Sequence, residues 1–210
     1  DHFLLGLFAA PATLGAYSVA ARLAQLLWMP CSAILPVLFN RVAAADDDAE
    51  RQDLLERIHR LLFWGTTAAG VATGLIAPWL VLFLLGEQYA DAVLPLLIML
   101  PGVVIWTSKR VTTKYFGGTG RPDVSSATQG VGSAVAIAAY AVLIPLYGAL
   151  GGAIASTIAY IVASGAGAWF YRKLTGRPLS ARFAARWSDV SWARSRLVAA
   201  ARRRADKATA

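Results

Sequence analysis

The sequence is short of charge. Only 15% of its 210 residues are Asp, Glu, Lys or Arg, where a soluble domain carries about 25%. None occurs between Val124 and Tyr171, and none between Leu61 and Leu85. So few charges cannot cover a water-exposed surface. Cysteine is almost absent: Cys31 stands alone, which excludes an intrachain disulfide. The two histidines, His2 and His59, are far apart, and neither H-E-x-x-H nor a cysteine cluster offers metal-ligand spacing. No enzyme, no cofactor and no metal centre is expected. The acidic run Asp46–Asp48 reads as a solvated loop, with a divalent-ion site as the alternative. Glu87 and Asp91 read as a hydrated turn. A secretory leader is not seen, and the chain is apolar already by Phe3. From this opening on Asp1 we expect a fragment whose earlier part is missing.

What is present is hydrophobic: 57% of residues, with a mean hydropathy of +0.54. A bilayer core of about 30 Å takes about 20 apolar residues per helix. Five spans can be placed, at about 12–40, 61–85, 92–108, 124–146 and 149–171. Snorkelling of Lys109 and Lys114 would extend the third to Phe116. Residues before Pro11 read as the end of an earlier helix, and Asp48 onward as a short surface helix ahead of the second span. The expected fold is all-α: a polytopic helical membrane protein with about five complete transmembrane helices plus the end of another. Residues 1–176 form the helical lobe and 177–210 a basic amphipathic tail.

Strict alternation puts segments 41–60, 107–123 and 172–210 on one side. Every Lys and Arg except Arg22 falls there, and the opposite loops hold only Glu87 and Asp91. By the positive-inside rule that side, with the C-terminus, is cytoplasmic. The net charge of +8 and pI of 10.1 thus belong to membrane-flanking loops, and nucleic acid is not an expected partner. The stretch "TSKRVTTKYFGGTGRPD", Thr107 to Asp123, holds four cations and three glycines but lacks the phosphate-loop spacing. It reads as a turn between helices. In the tail, Leu179, Phe183, Trp187, Val190 and Leu197 share one arc of a helical wheel, with Arg182 and most other arginines outside it. That pattern suits a helix lying on anionic inner-leaflet lipids.

Small residues at four-residue spacing let membrane helices approach closely. Gly70 and Gly74 form one such pair, Gly148, Gly152 and Ser156 a second series, and Ser126, Gly130 and Ala134 a third. Pro30, Pro36, Pro78, Pro95 and Pro101 lie in or near span interiors, where each removes a backbone hydrogen bond. Arg22 is the one cation well inside a span, at a cost of about 2.5–3.5 kcal/mol at a helix centre. Three placements are open: a hydrated cavity, a pair with a group such as Asp1, or snorkelling to the interface. Tyr17 and Gln25 are its polar neighbours. Gln129, Tyr140 and Tyr160 read as interhelical or interfacial polar groups, and Trp28, Trp64, Trp79 and Trp106 as belt or packing residues.

"LGAYSVAARLAQLLWMPCSAILPVLFNRVA", "LLGEQYADAVLPLLIMLPG", "FGGTGRPDVSS" and "IPLYGALGGAIASTIAYIV" resemble, in order, segments of lipid-linked oligosaccharide flippases of the Wzx type. These belong to a MATE-like superfamily. The resemblance covers about residues 1–176. It implies one lobe of a two-lobe transporter, the C-terminal one, with the N-terminal lobe missing. It also implies translocation of an undecaprenyl-pyrophosphate-linked oligosaccharide across the bacterial inner membrane for polysaccharide export. The lipid-linked oligosaccharide, inner-leaflet lipids and the missing lobe would be the partners. Arg22 is carried over as a pyrophosphate contact, and Asp1 sits where many relatives have an Asp. Gln25 and Tyr17 complete the expected cavity set. Two alternatives stand: a MATE-like cation-coupled drug exporter, and a membrane scaffold for polysaccharide-biosynthesis enzymes.

Overall fold

The structure, a computed structural model, describes residues 11–184. They are helical almost throughout. Helices α1 (Pro11–Leu26) and α2 (Met29–Ala44) replace the expected single first span. They are bent by 47° at a short break. The cause is local. Pro30 has no N–H to offer the carbonyl of Leu26, and its ring would crowd that carbonyl. Tight turns close α1 instead, with Leu27 N donating to Ala24 O at 3.3 Å and Trp28 N to Gln25 O at 2.9 Å. Pro30 then sits in the first turn of α2, where a missing N–H costs nothing. Pro36, Pro78 and Pro101 lie inside helices that run on past them.

Helix α3 (Asp48–Leu85) is a single rod. The expected surface helix and second span are therefore one continuous element. One stripe holds it together: Leu55, Ile58, His59, Leu62, Thr66, Gly70, Ala77 and Val81 are buried at helical spacing. The opposite stripe of Val71, Leu75, Trp79 and Phe83 is 58–92% exposed. Such an apolar stripe is stable in hydrocarbon and a liability in water. A 3-10 turn (Glu87–Ala92) leads into α4 (Val93–Gly118). The glycine-rich stretch then makes the expected turn: Arg121 N donates to Phe116 O at 2.8 Å, with Gly120 at φ 72°. A Cβ on Gly118 would lie 2.9 Å from Val42 Cγ1, so glycine is also needed for α4 to meet α2.

Helix α5 (Pro122–Thr175) has 54 residues, about 80 Å if straight. It is not straight. Gly148 has φ 54° and ψ −126°, outside any helix. The halves fold back on each other: a Cβ on Gly132 would lie 2.7 Å from Ala163 Cβ, and Tyr140 Oη is 2.8 Å from Ser156 Oγ. A Cβ on Gly151 would collide with the Leu143 carbonyl. The fourth and fifth spans are thus an antiparallel hairpin. By length and composition three helices can cross a membrane, or four if the bent α1–α2 pair is one span. Dividing α5 at Gly148 raises these numbers to four and five candidate crossings among the described residues. The all-α polytopic membrane fold stands. A final short helix, α6 (Ser180–Phe183), follows.

Two apolar clusters mark the two ends of this bundle. Tyr17, Ala20, Ala24, Ala77, Val81, Leu96, Met99, Ile144, Ala153 and Ala155 form the one at the end whose described loops hold no Lys or Arg, called the cation-free end although Arg22 projects from α1 nearby. Leu35, Leu38, Val42, Leu55, Ile58, Val111, Tyr115, Phe116, Val124 and Tyr171 form the one at the cation-rich end. Gly70 and Gly74 do pack closely, their added Cβ atoms 3.4 Å from Val104 and 3.3 Å from Leu100. Ser126, Gly130 and Ala134 instead face outward: that stripe packs on no other described helix.

Candidate functional site

The expected cavity residues separate into two groups. Tyr17 is fully buried, on the α1 face that also buries Ala16, Ala20, Ala21 and Ala24. Its hydroxyl is 3.0 Å from Ser156 Oγ, which also meets Tyr140 and donates to Gly152 O at 2.9 Å. Tyr17 is therefore part of the packing between α1 and the α5 hairpin. Arg22 and Gln25 are exposed on the other side of α1. Residues three apart share a helix face, so both project from the side turned away from the described helices. Asp1 lies outside the described residues. Of the three described, Tyr17 lies apart from Arg22 and Gln25.

A further group gathers at the break. Trp28, at the N-cap of α2, packs against Trp106 (ring centroids 6.4 Å apart) and Tyr160 (5.8 Å). Two cations flank these rings. Lys109 Nζ is 4.6 Å from the Trp106 centroid, and the Arg110 guanidinium is 5.5 Å from that of Trp28. Arg110 also donates to Ser32 Oγ at 2.9 Å. Lys109 does not snorkel: it is 5% exposed and donates to Gln129 Oε1. Lys114 is exposed, as snorkelling requires. The α1–α2 span thus carries Arg22 on one side of its break and receives Arg110 on the other. Sequence reasoning missed Arg110. The signal for it was Trp106 followed by cations at i+3 and i+4, the spacing at which helical side chains meet.

The cation-rich end holds a polar cluster that the sequence did not announce. Arg177 pairs with Asp53 at 2.7 Å and Glu56 at 3.3 Å. The Asp53 bond, ahead of an opposing desolvation effect and support from Glu56, holds the Arg177 guanidinium above its ordinary value. Arg182 is 1% exposed and Phe183 36%. Arg182, which the helical wheel sets outside the apolar arc, is thus buried against the bundle, while Phe183 on that arc is partly exposed. Trp187, Val190 and Leu197 lie outside the described residues. The acidic run Asp46–Asp47 borders an open cleft of about 680 Å³ that also carries Arg41, Glu50 and Arg57, while Asp48 pairs with Arg51 at 2.9 Å.

Residues 1–94 match the family model of the polysaccharide biosynthesis proteins. Over that segment, under half of the chain, the sequence is similar to polysaccharide biosynthesis proteins, which supports a role in polysaccharide export. The matched part contains α1, α2, α3 and their break. No curated protein and no solved structure gives a significant match.

Proposed function

We propose that the protein flips a lipid-linked oligosaccharide across the bacterial inner membrane for polysaccharide export, without being an enzyme. The chain forms one lobe of a two-lobe, MATE-like transporter of the Wzx type, with its C-terminus cytoplasmic. A diphosphate-sugar head cannot enter hydrocarbon unshielded. A hydrated cleft lined with cations offsets its lost hydration while the polyprenyl chain stays in lipid. Rocking of two lobes exposes that cleft to each side in turn.

The observation that carries this is the placement of Arg22. It projects with Gln25 from the α1 side that no described helix covers. A guanidinium there facing acyl chains would cost about 2.5–3.5 kcal/mol. Facing a hydrated cleft against a second lobe, it meets water and the diphosphate. Arg110, held at the break by Ser32 and Trp28, supplies a second positive charge along the same broken span. Ser32 is ten residues from Arg22, about 15 Å along a helix.

The test is Arg22→Ala in the full-length protein. Surface polysaccharide is expected to fall about tenfold or more at unchanged protein level, from loss of one charge-assisted contact. Arg22→Lys should retain part of the export, and Arg22→Ala with Arg110→Ala should remove more than either alone. Normal polysaccharide in the double variant would overturn the assignment.

A further inference from the structure

Gly176, in the left-handed conformation at φ 70°, ends α5 and turns the chain back over the bundle. The segment beyond this turn touches three helices within a few residues. The Arg182 guanidinium donates to Thr112 Oγ1 on α4 at 2.6 Å and lies 4.7 Å from the Tyr171 ring centroid on α5. Its carbonyl accepts from His59 Nδ1 on α3 at 2.8 Å. The next carbonyl, that of Phe183, accepts from Trp64 Nε1, also on α3, at 3.0 Å.

This socket is incompletely satisfied. Among the described residues, Arg182 Nε and His59 Nε2 are buried without a hydrogen-bond partner. Arg182 has no carboxylate at salt-bridge distance among the described residues; Glu56 is engaged by Tyr171 at 3.4 Å and Arg177 at 3.3 Å. Burying a charge with donors left unpaired is costly. A residue that served only to fill the core would be apolar here, since an apolar side chain of similar volume packs without that cost. Burial draws the Arg182 guanidinium down to about 10, against opposing effects of Tyr171 and Glu56, so it remains charged at neutral pH.

We infer that residues 176–184 are a releasable latch with Arg182 as its bolt, tying α3, α4 and α5 together at the cation-rich end of the bundle. While it is engaged, α3 cannot shift against α4 at that end. When Arg182 withdraws into water, the three helices lose their shared tie and that end can open. The inference rests on these contacts and is independent of what the protein carries.

Hydrogen exchange on the full-length protein in phosphatidylethanolamine–phosphatidylglycerol nanodiscs tests it. In the wild type, amides 177–184 are expected to exchange faster than those of 108–116, which a latch that opens alone requires. In Thr112→Val, which removes the acceptor and keeps the shape, exchange over 177–184 should rise about tenfold while 93–103 at the other end stays unchanged. Arg182→Ala should do the same or more; Thr112→Val decides if that variant is not recovered folded. Arg121→Ala, an exposed cation at the same end, should change nothing over 177–184. Two results would overturn the latch. One is exchange over 177–184 as slow as over 108–116 in the wild type, or unmoved by Thr112→Val. The other is acceleration spread equally to 93–103, which marks Arg182 as a constitutive core residue.

Discussion

At the cation-free end the helices meet through alanines and one knot of hydroxyls, in which Tyr17 and Tyr140 share Ser156. At the cation-rich end they meet through leucines, aromatics and buried charge, with Arg182, His59, Glu56 and Arg60 all under 7% exposed. The contrast is between contact distance and chemistry. Small residues bring backbones close, and such contacts offer few ways to separate gradually, because interiors are close-packed. Buried ions and half-satisfied donors hold adequately in the protein and are also well solvated when released into water. The first end suits a fixed hinge and the second an end that opens. Other contacts of the first kind run down the α4–α5 seam, where Thr157 Oγ1 donates to Ile98 O at 3.0 Å and Ser164 Oγ to Ile105 O at 3.0 Å.

The strongest way to break the comparison is at the hairpin. Gly151→Val places side-chain atoms against the Leu143 carbonyl, which backbone cannot yield. We expect almost no folded protein in the membrane fraction, read by size-exclusion of a fluorescent fusion. Near-normal yield would mean that the two halves of α5 do not turn at Gly148. Next comes Gly102→Ala, whose Cβ would lie 2.9 Å from Thr157 Cα. Overpacking of this kind costs about 1–3 kcal/mol, visible as a lowered melting temperature in nanodiscs. Ser156→Ala removes the oxygen that both tyrosines share. It should cost about 1–2 kcal/mol and leave latch exchange over 177–184 untouched. Tyr17→Phe, which loses one hydroxyl and keeps the ring, should cost about 0.6 kcal/mol. If Ser156→Ala instead loosened the latch, the two ends would not be separate units.

The apolar spans were legible because hydrocarbon imposes one rule on every segment at once. Long uncharged runs report it directly. The turn at Gly117–Gly120 was legible for the same kind of local reason. Elsewhere local signals misled or fell silent. The polar 48–60 segment looked separate from the 61–85 span because its composition differs. Yet Leu55, Ile58, Leu62, Thr66 and Gly70 continue one buried stripe across the join, and that periodicity was the better guide. Pro30 marked a possible break, while the 47° bend depends on what packs around it. Arg22 and Gln25, three apart, are both exposed on α1, whereas Tyr17, a sequence neighbour, is buried against the α5 hairpin. Arg182 was not legible at all. Its burial is made by Thr112, Tyr171 and His59, each more than ten residues away along the chain, and a helical wheel sees none of them.

Side-specific cysteine labelling tests the arrangement on which both ends depend. In a Cys31→Ser background, single cysteines replace Asp123 and Lys173, at the two outer ends of the α5 hairpin, and Gln88 and Tyr147, near its turn; all four positions are exposed. With an impermeant maleimide on intact cells, positions 88 and 147 should label and positions 123 and 173 should label only after the membrane is opened. Labelling of 123 and 173 from opposite faces would make α5 a single crossing and would contradict the two-ended bundle.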